Sequence, residues 1–140
     1  MAIELINDNL LASLHRQARE NERLRMNYDL RTTPEDTSQR MLNVLEPETH
    51  VPIHRHLKTS ETVVCLEGCL DEVFYEEIPG GYVQDGETAI DEKAFVEVAR
   101  FRICPREKNY GIQIPPGVWH SIEVHEPSTI FEAKDTAYGS

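Results

Sequence analysis

The sequence predicts a mainly β protein in which a leading helix packs on a small antiparallel β-barrel. Three observations carry that expectation. One stretch near the N-terminus repeats apolar residues at helical spacing. The rest of the chain holds many short segments rich in β-branched and aromatic residues, with no helical pattern between them. Turn residues separate those segments at close intervals. Such a series folds as an antiparallel sandwich or barrel. The 140 residues are enough for one domain with a real core. Residues 1–140 are therefore read as a single domain, with 1–35 forming the N-terminal helix and a covering segment and 36–140 the barrel.

The helix is expected over residues 7–23. Leu10, Leu11, Leu14 and Ala18 fall on one face, and Asn7 or Asp8 can cap its start. Strands are expected at 39–45, 62–67, 69–76, 94–103, 110–114, 119–124 and 128–134. The intervening turn signals are Glu46-Pro47, Glu67-Gly68, Pro79-Gly80-Gly81, Asp85-Gly86, Pro115-Pro116-Gly117 and Glu126-Pro127. The acidic run 85–92 reads as a solvated loop.

Charge and composition exclude several classes. Lys and Arg number 14 against 25 Asp and Glu, a net charge of −11. A general nucleic-acid binder needs a basic face, and attachment to an anionic membrane through bulk charge needs the same. No apolar run approaches the roughly 20 residues of a membrane span. The first residues have neither a basic segment nor the apolar stretch of a secretory signal, so a cytoplasmic location is expected. Cys65, Cys69 and Cys104 are odd in number and form no CxxC, which argues against a disulfide framework or a zinc ribbon. They read as small packing residues.

The chemistry concentrates in two stretches. His54 and His56 are two apart, so on a strand they project from one face, and Glu61 follows five residues later. Pro115-Pro116-Gly117 leads into a segment that carries His120. An HxH pair alone fits two exposed histidines on a polar strand face equally well. Three imidazoles and one carboxylate converging inside a barrel make a site for one divalent transition metal ion, with coordination positions left open. Iron, manganese, nickel and zinc all suit that donor set.

The spacing resembles the cupin superfamily. Its first motif is G, five residues, HxH, three or four residues, E, six residues, G. This chain has His54, His56, Glu61 and Gly68 in that spacing. Its second motif is G, five residues, PxG, two residues, H, three residues, N, matched here by Pro115, Gly117 and His120. Three turn or packing positions depart: Glu48 and Asn109 stand where the leading glycines would be, and Val124 where the asparagine would be. The resemblance implies a jelly-roll cupin barrel with His54, His56, Glu61 and His120 as metal ligands.

More narrowly, residues 23–56 resemble the WbuC family of cupin-fold metalloproteins. The likeness continues through Arg25 and Asn27, Arg40, and Phe131, Glu132 and Lys134 near the C-terminus. The family's Gly-Pro-Tyr ending corresponds to Thr136, Ala137 and Tyr138. Residues 78–94 are longer and more acidic than the family implies. That family is associated with bacterial O-antigen and lipopolysaccharide loci. A homodimer is also implied, with Trp119 and the N-terminal segment as candidate contacts.

Other residues can line the pocket. Arg25, Asn27, Arg40 and Lys134 suit a carboxylate or phosphate on a carbohydrate-like anionic ligand, although each suits a surface ion pair as well. Tyr75 and Glu132 are the candidate catalytic groups. Trp119 should point away from His120 as outer core or a protomer contact, and His50 and His125 should be exposed. Three functions fit: metal-assisted isomerisation or epimerisation of a sugar or sugar nucleotide, a non-catalytic small-molecule-binding or regulatory module, and a metal-dependent dioxygenase. Turnover itself is left open.

Overall fold

A computed structural model describes residues 3–80 and 84–136 of the chain. Gly81 of the expected Pro-Gly-Gly turn, and Ala137 and Tyr138 of the expected family ending, lie outside the described residues.

The helix, α1, runs Asp8–Glu20. The side chain of Asn7 accepts from the Leu10 amide at 3.1 Å and satisfies one donor that a helix start leaves over. The helix ends three residues earlier than expected, where Asn21 turns extended and its N–H closes on the Ala18 carbonyl. Leu11, Leu14 and Ala18 are buried against Leu42 and Val44. No described helix is long and apolar enough to cross a membrane.

Six strands follow: β1 (Arg25–Asp29), β2 (Gln39–Leu45), β3 (Glu61–Glu77), β4 (Phe95–Ile103), β5 (Gly111–Ile114) and β6 (Trp119–Lys134). All pairings are antiparallel, in the order β1-β2-β6-β3-β4, with β5 on β3. β1 was expected only as covering chain. Its five residues carry two alternating apolar positions, Met26 and Tyr28, too few for a period-two signal. Pairing with β2, from Arg25↔Leu45 to Asp29↔Met41, is what makes it a strand.

β3 and β6 also correct the expected pattern. The turn signals at Glu67-Gly68 and Glu126-Pro127 predict breaks, yet each strand runs through them. The residues bend the strand instead of ending it. Gly68 has φ +100°, where a side chain is strained, and a Cβ there would stand 2.6 Å from the Pro127 carbonyl oxygen. The β3–β6 register slips between Cys65 and Leu70 as the two strands bend over one another. Ser128 Oγ accepts from the Cys69 amide at 3.0 Å and occupies the donor that the slip frees.

The bends fold one sheet into two facing halves. β1, β2, β5 and the outer lengths of β3 and β6 form the first. β4 and the other lengths of β3 and β6 form the second, which single bridges from His54 to His120 and to Thr88 extend. The hydrogen-bond ladder stays open, so the expected barrel is a folded-over sheet. Leu45, Val63, Cys65, Leu70, Phe74, Ile103, Ile114, Val124 and Ile130 fill the space between the halves. Burying this apolar surface is the main stabilising term. Glu61, Glu72 and His120 are buried too, and such groups stay in a core only where other groups satisfy them.

Candidate metal centre

His54, His56 and His120 come together although 66 positions separate the first from the last. Their ligand-type nitrogens all lie within 4.8 Å of one another. The ring centroids of His54 and His120 are 4.3 Å apart. The local cause is a two-residue ladder: the His54 amide donates to the His120 carbonyl at 2.9 Å, and the His120 amide returns to the His54 carbonyl at 2.8 Å. The turn at Pro115-Pro116-Gly117 is anchored by the Gly117 amide on the His56 carbonyl at 2.7 Å. The two sequence stretches are thus tied by backbone bonds, and the rings inherit that alignment.

The tautomers are settled by the acceptors. His54 Nδ1 lies 2.8 Å from the Pro52 carbonyl and His120 Nδ1 lies 2.9 Å from the Val118 carbonyl. A carbonyl only accepts, so both Nδ1 atoms carry the proton and both Nε2 atoms present a lone pair. Burial pushes the His54 pKa down to about 4, helped by the neighbouring His120, so His54 is neutral at pH 7.

Glu61, the first residue of β3, closes the group. Its carboxylate oxygens stand 3.2 Å from His56 Nε2 and 3.7 Å from His120 Nε2. Burial opposes its charge, but hydrogen bonds and attraction from His120 and His56 more than reverse that and hold it well below the ordinary carboxylate range. The Nε2 atoms of His56 and His120, buried without a hydrogen-bond partner beside His54 and an ionised carboxylate, leave room for a cation between them. These residues therefore fit a divalent transition metal.

The other predicted residues are placed as follows. Glu132, on β6, faces the interior and accepts from Asn43 Nδ2 at 3.1 Å. Burial, then the charge of Glu61, pushes its pKa up to about 8. Lys134 pairs in register with Glu61 across β3 and donates to the Thr136 carbonyl at 2.5 Å. Arg25 and Asn27 pair with Leu45 and Asn43, so they share the inner face of the sheet. Arg25 donates to the His50 carbonyl at 2.7 Å and steadies the chain leading to His54. Arg40 shares the face of Leu42 and Val44 under α1, opposite to Asn43, and pairs with Asp36. Tyr75 packs with Ile53, Phe95 and Trp119, while Phe74 is the residue of that pair beside His120. Trp119 is 5% exposed within a single chain, under Phe95 and the Arg55 guanidinium, so it is outer core. His50 and His125 each meet a carboxylate, Glu92 and Asp71.

Several supporting residues carried no readable signal. The acidic stretch expected as a solvated loop is stitched to the ligand segment. Glu87 accepts from the Leu57 amide at 2.8 Å, and Glu92 from the Ile53 amide at 3.0 Å. Arg55, between the two ligands, donates to the Gln84 and Gly86 carbonyls. Glu72 is fully buried, with one carboxyl oxygen lacking a partner, and burial raises its pKa well above the usual range. The one hint of Glu72 in the sequence is a carboxylate inside an apolar strand.

Comparison with known proteins agrees with this geometry. A cupin-2 domain-containing protein from Shewanella frigidimarina superposes with a TM-score of 0.57 at 19% identity, covering 94% of both chains. A putative sugar phosphate isomerase from Acidithiobacillus ferrooxidans gives 0.54 at 17% identity, covering 79% of this chain and 58% of that one. The Schizosaccharomyces pombe Cnp3 cupin domain gives 0.54 at 13% identity; the match covers 80% of this chain and 64% of that one, so this chain spans somewhat under two thirds of its length. At these identities the likeness shows the fold, which is the cupin fold. No curated protein matches the sequence. Residues 6–85 match the family described as "Domain of unknown function (DUF6016)", more than half of the chain. The chain belongs to that family.

Proposed function

We propose that this protein is a metal-dependent enzyme that isomerises or epimerises a sugar or sugar nucleotide. The observation that carries the reading is a second carboxyl, Glu132, which Asn43 holds beside Glu61 and the imidazoles. Attraction from His120 and His56 keeps Glu61 well below the usual carboxylate range, while burial, then the charge of Glu61, raises the pKa of Glu132. A carboxyl that burial biases toward its protonated form is placed there to move a proton, a role a site that only held a ligand would not require.

When held by His54, His56, Glu61 and His120, the metal supplies Lewis-acid polarisation of a substrate carbonyl or hydroxyl oxygen. The chain's own groups do the rest. Asn43 Nδ2 fixes one Glu132 oxygen. Glu132 then gives a proton to the substrate and takes one back. Phe74, 6.3 Å from the His120 ring, keeps that side of the cavity apolar. Arg25 and Asn27 on the inner face, and Lys134 at its edge, suit the anionic part of a carbohydrate ligand. The resemblance to the WbuC family supports placing the reaction in bacterial surface polysaccharide biosynthesis. The description of one structural neighbour as a putative sugar phosphate isomerase agrees with the reaction class.

The test is proton exchange. The metal-loaded protein is incubated in deuterated water with sugar phosphates and nucleotide sugars, and incorporation at carbon is followed by NMR. Deuterium should enter one substrate class. Glu132→Gln should cut that rate by about 10²-fold or more at unchanged metal content. Ligand-induced thermal stabilisation without exchange would replace this reading with a binding module. Oxygen uptake would replace it with a dioxygenase.

A further inference from the structure

All three cysteines of the chain lie close together, away from the histidine centre. We infer that Cys69, Cys104 and Glu107 form a second metal site, for a soft divalent ion such as zinc. Cys69 Sγ, Cys104 Sγ and a Glu107 carboxylate oxygen lie within 4.8 Å of one another.

The fold builds this cluster locally. Leu70 pairs with Ile103 across β3 and β4, so Cys69 and Cys104 are the next residues out along that antiparallel pair. Cys104 then opens a tight turn. Its amide and carbonyl both bond to Asn109, at 2.8 Å and 3.3 Å, and its carbonyl accepts from the Glu107 amide at 2.9 Å. A single helical turn, Pro105–Glu107, and Lys108 at φ +67° reverse the chain. The turn returns the Glu107 carboxylate over the two thiols. Both thiols are buried and the carboxylate is exposed, so an ion would enter from the Glu107 side.

The donor chemistry suits zinc. Tetrahedral zinc with Zn–S near about 2.3 Å holds its ligand atoms about 4 Å apart, close to the spacing found here. Each thiol releases one proton on binding. Two thiolates and a carboxylate leave one net negative charge around a divalent ion. Arg102 lies 3.9 Å from Glu107 and offsets part of that charge. Cys65 is outside the set, because its thiol donates to the Glu67 carbonyl at 3.1 Å. Water completes the fourth position.

Cobalt(II) as the probe tests this on the full chain. Stripped protein is titrated with cobalt and followed by sulfur-to-cobalt charge-transfer absorption, which a nitrogen and oxygen site cannot give. The wild type should show the band. It should persist in His54→Ala/His120→Ala and vanish in Cys69→Ser/Cys104→Ser. Glu107→Gln, an exposed change that leaves the core intact, should raise the cobalt Kd at least tenfold. Zinc should displace the cobalt and slow the reaction of both thiols with a disulfide reagent. A wild type without the band overturns the site, and so does a band that survives removal of both cysteines. An unchanged Kd in Glu107→Gln overturns it as well. None of these results depends on what the histidine centre does.

Discussion

Asp71 offers a prediction that can be worked through in numbers. It lies on the outer face of β3, opposite the core, with a side chain only 4% exposed. Arg100 reaches it at 3.0 Å, Arg102 at 2.6 Å and His125 at 2.9 Å. The three partners come from β4 and β6, so this carboxylate ties three strands of the second half together. Burial alone would raise its pKa; hydrogen bonds from His125, Arg102 and Arg100 reverse that and hold it at about 2, against 3.8 in free chain. That gap converts to about 2 kcal/mol. Because Arg100 and Arg102 are themselves 36% and 43% exposed, solvent screening reduces it to about 1–2 kcal/mol.

The folded pKa is below the unfolded one, so the unfolded chain binds more protons between about pH 2 and 4. The stabilisation is present above pH 3.8 and is lost as pH falls toward 2. Asp71→Asn should therefore cost about 1–2 kcal/mol at pH 7, with Tm lower by about 3–8 °C for a chain of this length. Urea unfolding of both proteins at pH 7, 4.5 and 3 is the assay. The gap should be present at the first two values and narrower at pH 3 than at pH 4.5. A gap that stays constant through pH 3 would mean that packing, and not charge, is what Asp71 contributes.

Two further outcomes follow from the bend and from the histidine centre. Gly68→Ala should cost about 3 kcal/mol, since the new methyl meets the Pro127 carbonyl at 2.6 Å in a left-handed backbone; thermal unfolding reads it, and a loss under 1 kcal/mol would show that the bend can relax. Purified protein should hold about one metal at the histidine centre that His54→Ala/His56→Ala lacks. Refilling the stripped protein to 100 times the Kd should add about 2.7 kcal/mol of stability; elemental analysis and a melt with and without chelator measure both.

Much of the framework was readable because its determinants are local. The helix face of Leu11, Leu14 and Ala18, the Asn7 cap and strand β2 follow from periodicity and capping within a few residues. The HxH pair reaches one centre without the expected strand, since His54 makes only isolated bridges, and the PxG turn sets the start of β6. β1 was not readable, because five residues with two apolar positions become a strand only when β2 is alongside. The bends were misread as breaks, since a glycine or proline signal in sequence is the same whether the chain turns back or bends onward. That choice rests on Gly68 meeting Pro127 and Ser128, 59 and 60 positions away.

The sequence by itself determined the donor types: three histidines and a glutamate, spaced to share faces, in an acidic chain whose apolar residues alternate as strands require. Only the tertiary structure decided what surrounds them. It put Glu132 and Glu72 inside with Glu61, turned Tyr75 toward Trp119, laid the acidic stretch against His54 as a brace, and returned Glu107 over Cys69 and Cys104. The physical reason is range. Side-chain direction and period are properties of neighbouring residues, whereas burial and the charges beside it, which together set the pKa of a core carboxyl, depend on which distant strands close over it.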